Sequence, residues 1–260
     1  MRNMGVTKDD ILVVHSSMKE LLKCKLAPKD ILDLFVTQLL PHGTLVCPTF
    51  PLYPREPKGV ERLRANTCNV EYSYNVQKSR TWTGDLGRLL MKMPGARRSL
   101  HPLNTLTAYG KDVDQIFSKE TIHSLDLPCG PDSPWSTLVS LKAKVLMIGV
   151  DIAHSLTMIH VAEDCYEESW PINNWYRQRP FHIINNNTEY HVTVRERHPK
   201  WSLSYAERKL SRDLITSGLV QQANIGSLTI SLIESTSLIS YLNARKDSAF
   251  PYYLCWLSAL

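Results

Sequence analysis

KVLMIGVDIAHSLTMIHVAED, residues 144–164, joins an unbroken apolar run to a segment in which one histidine stands among carboxylates. An apolar run without alternation is the mark of a strand covered on both faces. ILVVH (11–15) and TLVCPTF (44–50) repeat the pattern, and FHII (181–184) and YHVTV (190–194) give weaker strand signals. Helical periods lie between them in PKDILDLFVTQLL (28–40), GDLGRLLMKM (84–93), SPWSTLVSL (133–141), SLTMIHVAEDCYEES (155–169) and IGSLTISLIESTSLISYL (225–242). Strands alternating with helices predict an α/β fold, a single layered domain over 1–260 with a central mixed β-sheet flanked by helices. The two later strands, separated by NNNT, read as an antiparallel hairpin within that sheet. Residues 51–83 begin with three prolines in seven positions and show no period, so they are expected to form a lid or substrate loop.

Composition narrows the function classes. A chain of 260 residues, 43% of them hydrophobic, can bury a full core. It has no run of about 18 uncharged apolar residues and no signal-peptide pattern at MRNMGVTKDDILVVH, so the expectation is a soluble cytoplasmic protein without a membrane partner. Six cysteines, at 24, 47, 68, 129, 165 and 255, have no paired metal spacing and read as free thiols. The formal charge of +5 suits an anionic ligand. The basic residues are dispersed, with no stretch richer than MPGARRS, which argues against nucleic acid.

Three clusters can carry chemistry. At about 100° per residue, Thr157, His160, Asp164 and Glu167 share one helical stripe with Glu163 at its edge, opposite Met158, Ile159, Val161, Ala162 and Cys165. Ser155 is the expected N-cap. A histidine beside a carboxylate, after a strand end, has the apparatus of a general base; a solvated polar stripe gives the same pattern. A metal site is not expected, because HExxH is absent and no second histidine stands at ligand spacing. VVHSSMKEL (13–21) puts His15, Ser16 and Ser17 at a strand end, where hydroxyls and free N–H groups can hold a phosphate or carbonyl oxygen, or cap the helix. GARRSLHPLNTLTAYG (95–110) sets Arg97, Arg98, Ser99 and His101 by a proline turn; guanidinium forks suit phosphate, and a solvated basic loop is the other reading.

In order, HSSMKEL, GTLVCPTF, GDLGRLLMKMPGARRSLHPLNTLTAYG, CGPDSPWSTLVSL, KVLMIGV and TMIHVAED resemble the aminoglycoside 3-N-acetyltransferase family, antibiotic acetyltransferases that do not have the GNAT fold. The resemblance runs from about residue 11 to 170 and resumes at IGSLTISLIESTSLISYL. It implies transfer of an acetyl group from acetyl-CoA to an amine of an amino sugar, a small-molecule acceptor, by a monomer or homodimer without a metal. Carried over, His160 is the catalytic base, Glu163 its supporting or substrate-binding acid and Thr157 a polar partner near the thioester. His15, Ser16, Ser17, Arg98, Ser99 and His101 fall on the coenzyme side, and Asp164 and Glu167 on the acceptor side. The chemistry agrees: a sugar amine must lose a proton before it attacks, and imidazole, with a reference pKa of about 6.5, suits the task. Thr157 or loop amides can supply oxyanion donors.

The chain departs from its relatives in two respects. The glycine-rich turn common after the HSS segment is here LLKCKLAPKD, and RSLHP is followed by Asn104 and Thr105 where a histidine and a serine are common. The basic balance is unexpected for an enzyme acting on polycations, which points to a less cationic acceptor such as a nucleotide-linked amino sugar. A serine hydrolase is disfavoured because no GxSxG elbow occurs. A non-catalytic protein that binds CoA or a sugar is the alternative of another class.

Overall fold

The computed structural model describes residues 2–54, 57, 61, 70–167, 175–199, 207–245 and 252. Its strands are β1 (Ile11–Ser16), β2 (Thr44–Pro48), β3 (Tyr72–Asn75), β4 (Arg97–Arg98), β5 (Leu106–Gly110), β6 (Lys144–Ile148), β7 (Tyr176–Asn185), β8 (Thr188–Arg197), β9 (Gln221–Ile225) and β10 (Leu228–Glu234). Seven form one sheet in the order β4-β5-β2-β1-β6-β10-β9, and β3-β7-β8 form a second. β1 runs parallel to both neighbours, with Val13 in register with Val46 and Val145. β10 is antiparallel to β6 and β5 to β2, so the central sheet is mixed.

The three unbroken apolar runs are the sheet's centre, and their lack of alternation has the expected cause. Ile11, Val13, Val145 and Met147 enter one hydrophobic cluster; Leu12, Val14, Leu146 and Ile148 enter the other. Helices Pro134–Ser140, Ile159–Asp164, Glu207–Thr216 and Ser235–Asn243 cover the first face, and Met18–Lys23, Pro28–Leu39 and Asp85–Leu90 cover the second. Each fully buried aliphatic side chain is worth about 1.5–3 kcal/mol of transfer free energy, so neither face tolerates a polar substitution. Two helices start as their sequences dictate, with Pro28 and Pro134 in the first turn, and Ser133 Oγ accepts from the Ser136 N–H at 3.1 Å.

Five expectations are corrected. The stretch 225–242 is not one helix: Leu228, Ile230 and Leu232 alternate with Thr229 and Ser231 as β10, and helix begins only at Ser235. Gly226, at φ +59°, makes the β9–β10 turn that the helical reading overlooked. The segment 155–169 is broken at Leu156 into helices Ile152–Ser155 and Ile159–Asp164, because the intervening turn lets both Leu156 and Met158 enter the core. Asp151, not Ser155, caps the first of these, accepting from the Ala153 N–H at 3.0 Å.

The β7–β8 hairpin is antiparallel as expected but pairs with β3, outside the central sheet. Finally, the stretch 51–83 is not without structure: Pro51 bridges Thr81, and β3 lies inside it. Tyr72 and Tyr74 of β3 are buried with Tyr53, Phe181 and Ile183, a period-two signal hidden behind the prolines. The rest of that expected lid, at 55, 56, 58–60 and 62–69, lies outside the described residues.

Candidate active site

Parallel β1 and β6 end side by side, Ser16 in register with Ile148, and open α/β sheets take ligands at such strand ends. Gly149 turns the chain there at φ +62°; a Cβ would lie 2.7 Å from Glu20 Cβ and 2.8 Å from Leu228 Cδ1, so only glycine fits. The turn delivers Thr157 and then His160 to two neighbouring cavities. The smaller, about 270 Å³, is lined by His15, Ser16, Gly84, His154, Ser155 and Thr157 among others. The larger, about 290 Å³, is lined by His160, Glu163, Asp164, Arg179, Glu196 and Arg197, with Asn104 nearby. Phe50 and Trp82 line both, their rings edge to face at 5.7 Å.

His160 and Glu163 meet across one helical turn, Nδ1 to Oε2 at 2.8 Å. A carboxylate only accepts, so the Glu163 contact calls for a proton on Nδ1; in that tautomer the Nε2 lone pair faces Arg197 Nη2 at 3.5 Å. Arg197, 37 residues away on β8, donates to both Glu163 oxygens at 3.0 and 3.3 Å, and its two terminal nitrogens lie 3.2 Å from His160 Nδ1 and 3.5 Å from Nε2. Glu163 is 4% exposed, so this is a charge-assisted cluster with little competing water.

Asp164 turns away from the histidine. It accepts from the Cys129 N–H at 3.0 Å and the Tyr176 hydroxyl at 2.9 Å. Burial, with Glu163 beside it, pushes its carboxyl up to about 7 against the pull of those two donors and Arg197. Glu196 accepts from Arg177 Nε at 2.9 Å and Arg179 Nη1 at 3.1 Å, and Arg179 also stacks on Tyr72 and Phe181.

The remaining expected residues divide. His15 and Ser16 line the smaller cavity, and burial lowers the His15 imidazole to about 4, so it is neutral. Ser17 instead caps helix Met18–Lys23, accepting from the Glu20 N–H at 3.3 Å. Arg98, Ser99 and His101 line neither cavity. Arg98 donates to three backbone carbonyls, Val76, Ser79 and Thr49. Ser99 Oγ accepts from the Leu106 N–H at 3.0 Å, and His101 Nδ1 from the Leu103 N–H at 3.1 Å. Glu167 pairs with Arg195 and lines neither cavity. Sequence reading missed Arg197, Glu196, Arg179, Tyr176, Phe50 and Trp82. No local pattern marks the first four, since along β7 and β8 Tyr176 and Arg197 stand at positions alternate to the buried Arg179 and Glu196.

No cluster of three metal-ligating side chains occurs among the described residues, and no described helix is long and apolar enough to cross a membrane. The sequence matches the family described as Aminoglycoside 3-N-acetyltransferase over residues 13–245. It is 22% identical to Aminoglycoside N(3)-acetyltransferase IX of Micromonospora chalcea, over 93% of this chain and 88% of that one. It is 30% identical to Aminoglycoside N(3)-acetyltransferase IV of a Salmonella species, over 62% of this chain and 54% of that one. Among solved structures, AAC-IIIb in binary complex with CoASH superposes with a TM-score of 0.75, 21% identity and coverage of 95% and 91%. AAC-VIa bound to sisomicin does so with a TM-score of 0.71, 19% identity and coverage of 94% and 95%. The mixed sheet is thus the fold of those enzymes, and the family match spans both cavities and all of the His160 cluster. The chain belongs to the aminoglycoside 3-N-acetyltransferase family.

Proposed function

We propose that the protein acetylates an amine of an amino sugar from acetyl-CoA by direct transfer, with His160 as general base. The observation that carries this reading is the 2.8 Å contact between His160 Nδ1 and Glu163 Oε2 at the wall of the larger cavity. Glu163 holds the imidazole in the tautomer whose Nε2 can accept the amine's proton, and Arg197 holds Glu163 in place.

The smaller cavity fits the thioester end of the coenzyme. His15 Nε2 is buried there without a hydrogen-bond partner, a neutral ring that a carbonyl or amide of a bound molecule would satisfy. Ser16 and Thr157 add hydroxyls, and the bound coenzyme would supply the activated acetyl group. Thr157 and His160 belong to one turn, the His160 N–H donating to the Thr157 carbonyl at 3.0 Å, so donor and acceptor would meet across it. Both cysteines near the site argue against a covalent acetyl-enzyme. Cys129 is fully buried, and burial raises both its thiol and that of Cys165.

The test is His160→Ala in a thiol-release assay with amino sugars and aminoglycosides. The expected loss is about 10²–10⁴-fold in kcat with acetyl-CoA affinity by calorimetry unchanged. An unaltered rate removes His160 from the mechanism, and coenzyme binding without thiol release from any amine identifies a binding protein instead.

A further inference from the structure

Both cavities have Phe50 and Trp82 in their walls, so a thioester in one and an amine in the other would meet beside these rings. Hydrogen bonds fix the chain there. The Trp82 N–H donates to Phe50 O at 3.1 Å, Thr81 bridges Pro51, and the Leu52 N–H donates to Arg80 O at 2.8 Å. On the other side of Trp82, the Thr83 hydroxyl donates to Pro48 O at 2.7 Å, where β2 ends, and accepts from the Phe50 N–H at 3.2 Å. The Trp82 backbone is thus tied on both sides to the segment that leaves the central sheet. Its side chain is nevertheless 62% exposed, whereas Tyr53 of the same cavity is 7% exposed and Phe50 is half-buried. An exposed apolar side chain by itself needs no explanation. This one is presented from a fixed backbone at the junction of two cavities, where the fold gains little from it. The acetyl end of the coenzyme is a linear chain and offers an indole little flat surface. A pyranose chair with equatorial hydroxyls offers an apolar face of axial C–H groups, and the indole N–H can donate to a hydroxyl at the ring's edge.

We infer that Trp82 is an acceptor-binding residue: one face of the amino-sugar ring packs on its indole, which turns the ring's amine toward His160. The inference rests on the acetyl-transfer reading above. Packing on a fixed ring restricts the acceptor to few orientations, so that the amine and the thioester are held together before reaction. Because the indole is mostly exposed without a ligand, its removal should cost binding of the acceptor and not stability of the fold.

The experiment measures thiol release at saturating acetyl-CoA with glucosamine or kanamycin, whichever is turned over faster, in wild type, Trp82→Ala and Trp82→Phe. Acetyl-CoA affinity by calorimetry and a melting curve accompany each protein. Trp82→Ala should raise KM for the acceptor about tenfold or more, with kcat falling less than KM rises, while Trp82→Phe, which keeps an aromatic face, should stay within about threefold of wild type. The Kd for acetyl-CoA should stay within about threefold and Tm within about 2 °C in both variants. Adding the acceptor should change the tryptophan emission of wild type, and that change should be lost in Trp82→Phe. An acceptor KM unchanged in Trp82→Ala overturns the inference. So does a Kd for acetyl-CoA that rises as far as the acceptor KM, which places the indole against the coenzyme, and so does a Tm that falls with the KM, which makes it a structural side chain. Each of these results keeps acetyl transfer. No thiol release from any amine overturns the acetyl-transfer reading itself.

Discussion

Replacing Glu163 by Gln separates the two roles that the sequence leaves open to this acid, orienting His160 or binding the acceptor's ammonium. The amide keeps the side chain's shape and can still accept from Nδ1, but the negative charge that pairs with His160 and Arg197 is gone. A hydrogen bond to a charged group is worth about 1.5–3 kcal/mol, and Glu163 is nearly buried, so the contact is not rescued by water. At 1.36 kcal/mol per decade this corresponds to a kcat about ten- to 150-fold lower. Arg197 is 25% exposed, so water screens the guanidinium that loses its counter-charge and stability should fall by about 1 kcal/mol or less. The assay is thiol release at saturating acetyl-CoA with the acceptor varied, accompanied by a melting curve. The expected result is a loss in kcat with KM for the acceptor within about threefold. A loss confined to that KM, or a kcat within twofold of wild type, refutes the orienting role and makes Glu163 a substrate contact.

Arg98→Met should act on the fold and not on the coenzyme. Val76 O and Ser79 O lose this donor, at about 1–3 kcal/mol for each carbonyl left unsatisfied, while Thr49 O keeps the Thr105 hydroxyl, so Tm should drop by several degrees with KM for acetyl-CoA unchanged. A raised KM at an unchanged Tm would return Arg98 to the coenzyme site. Glu120 supplies a pH dependence: it braces the turn through the Leu100 and His101 N–H groups, and burial pushes its carboxyl up from 4.5 to about 7. The folded chain then holds a proton that the unfolded chain releases, so this contribution is full below about pH 4.5 and is lost as pH rises to about 7, on the order of 3 kcal/mol in all. Glu120→Gln should lack that slope in denaturant titrations at pH 5 and 8; an equal slope in variant and wild type contradicts the assignment.

The sequence by itself determined the centre of the sheet, because strands buried on both faces cannot alternate. Runs 11–15, 44–50 and 144–150 were therefore visible as β1, β2 and β6. Local chemistry also marked the helices beginning at Pro28 and Pro134 and an antiparallel hairpin of 181–184 and 190–194, which the structure extends to Tyr176–Asn185 and Thr188–Arg197. His160 and Glu163 were legible as a pair because i, i+3 spacing is a property of the helix itself.

Local reasoning failed where a segment's fate depends on what it packs against. Leu228–Glu234 carries enough apolar residues for either period, and pairing with β6 decides it as a strand. Arg98 donates to three carbonyls and Glu167 pairs with Arg195, contacts that no local pattern announces. Arg197, Arg179 and Glu196 gave no local signal, since their partners lie on other elements. Which charges share the wall of a cavity is decided by contacts between distant parts of the chain, as where Arg197 of β8 meets Glu163 across 34 residues, and only the tertiary structure makes those contacts.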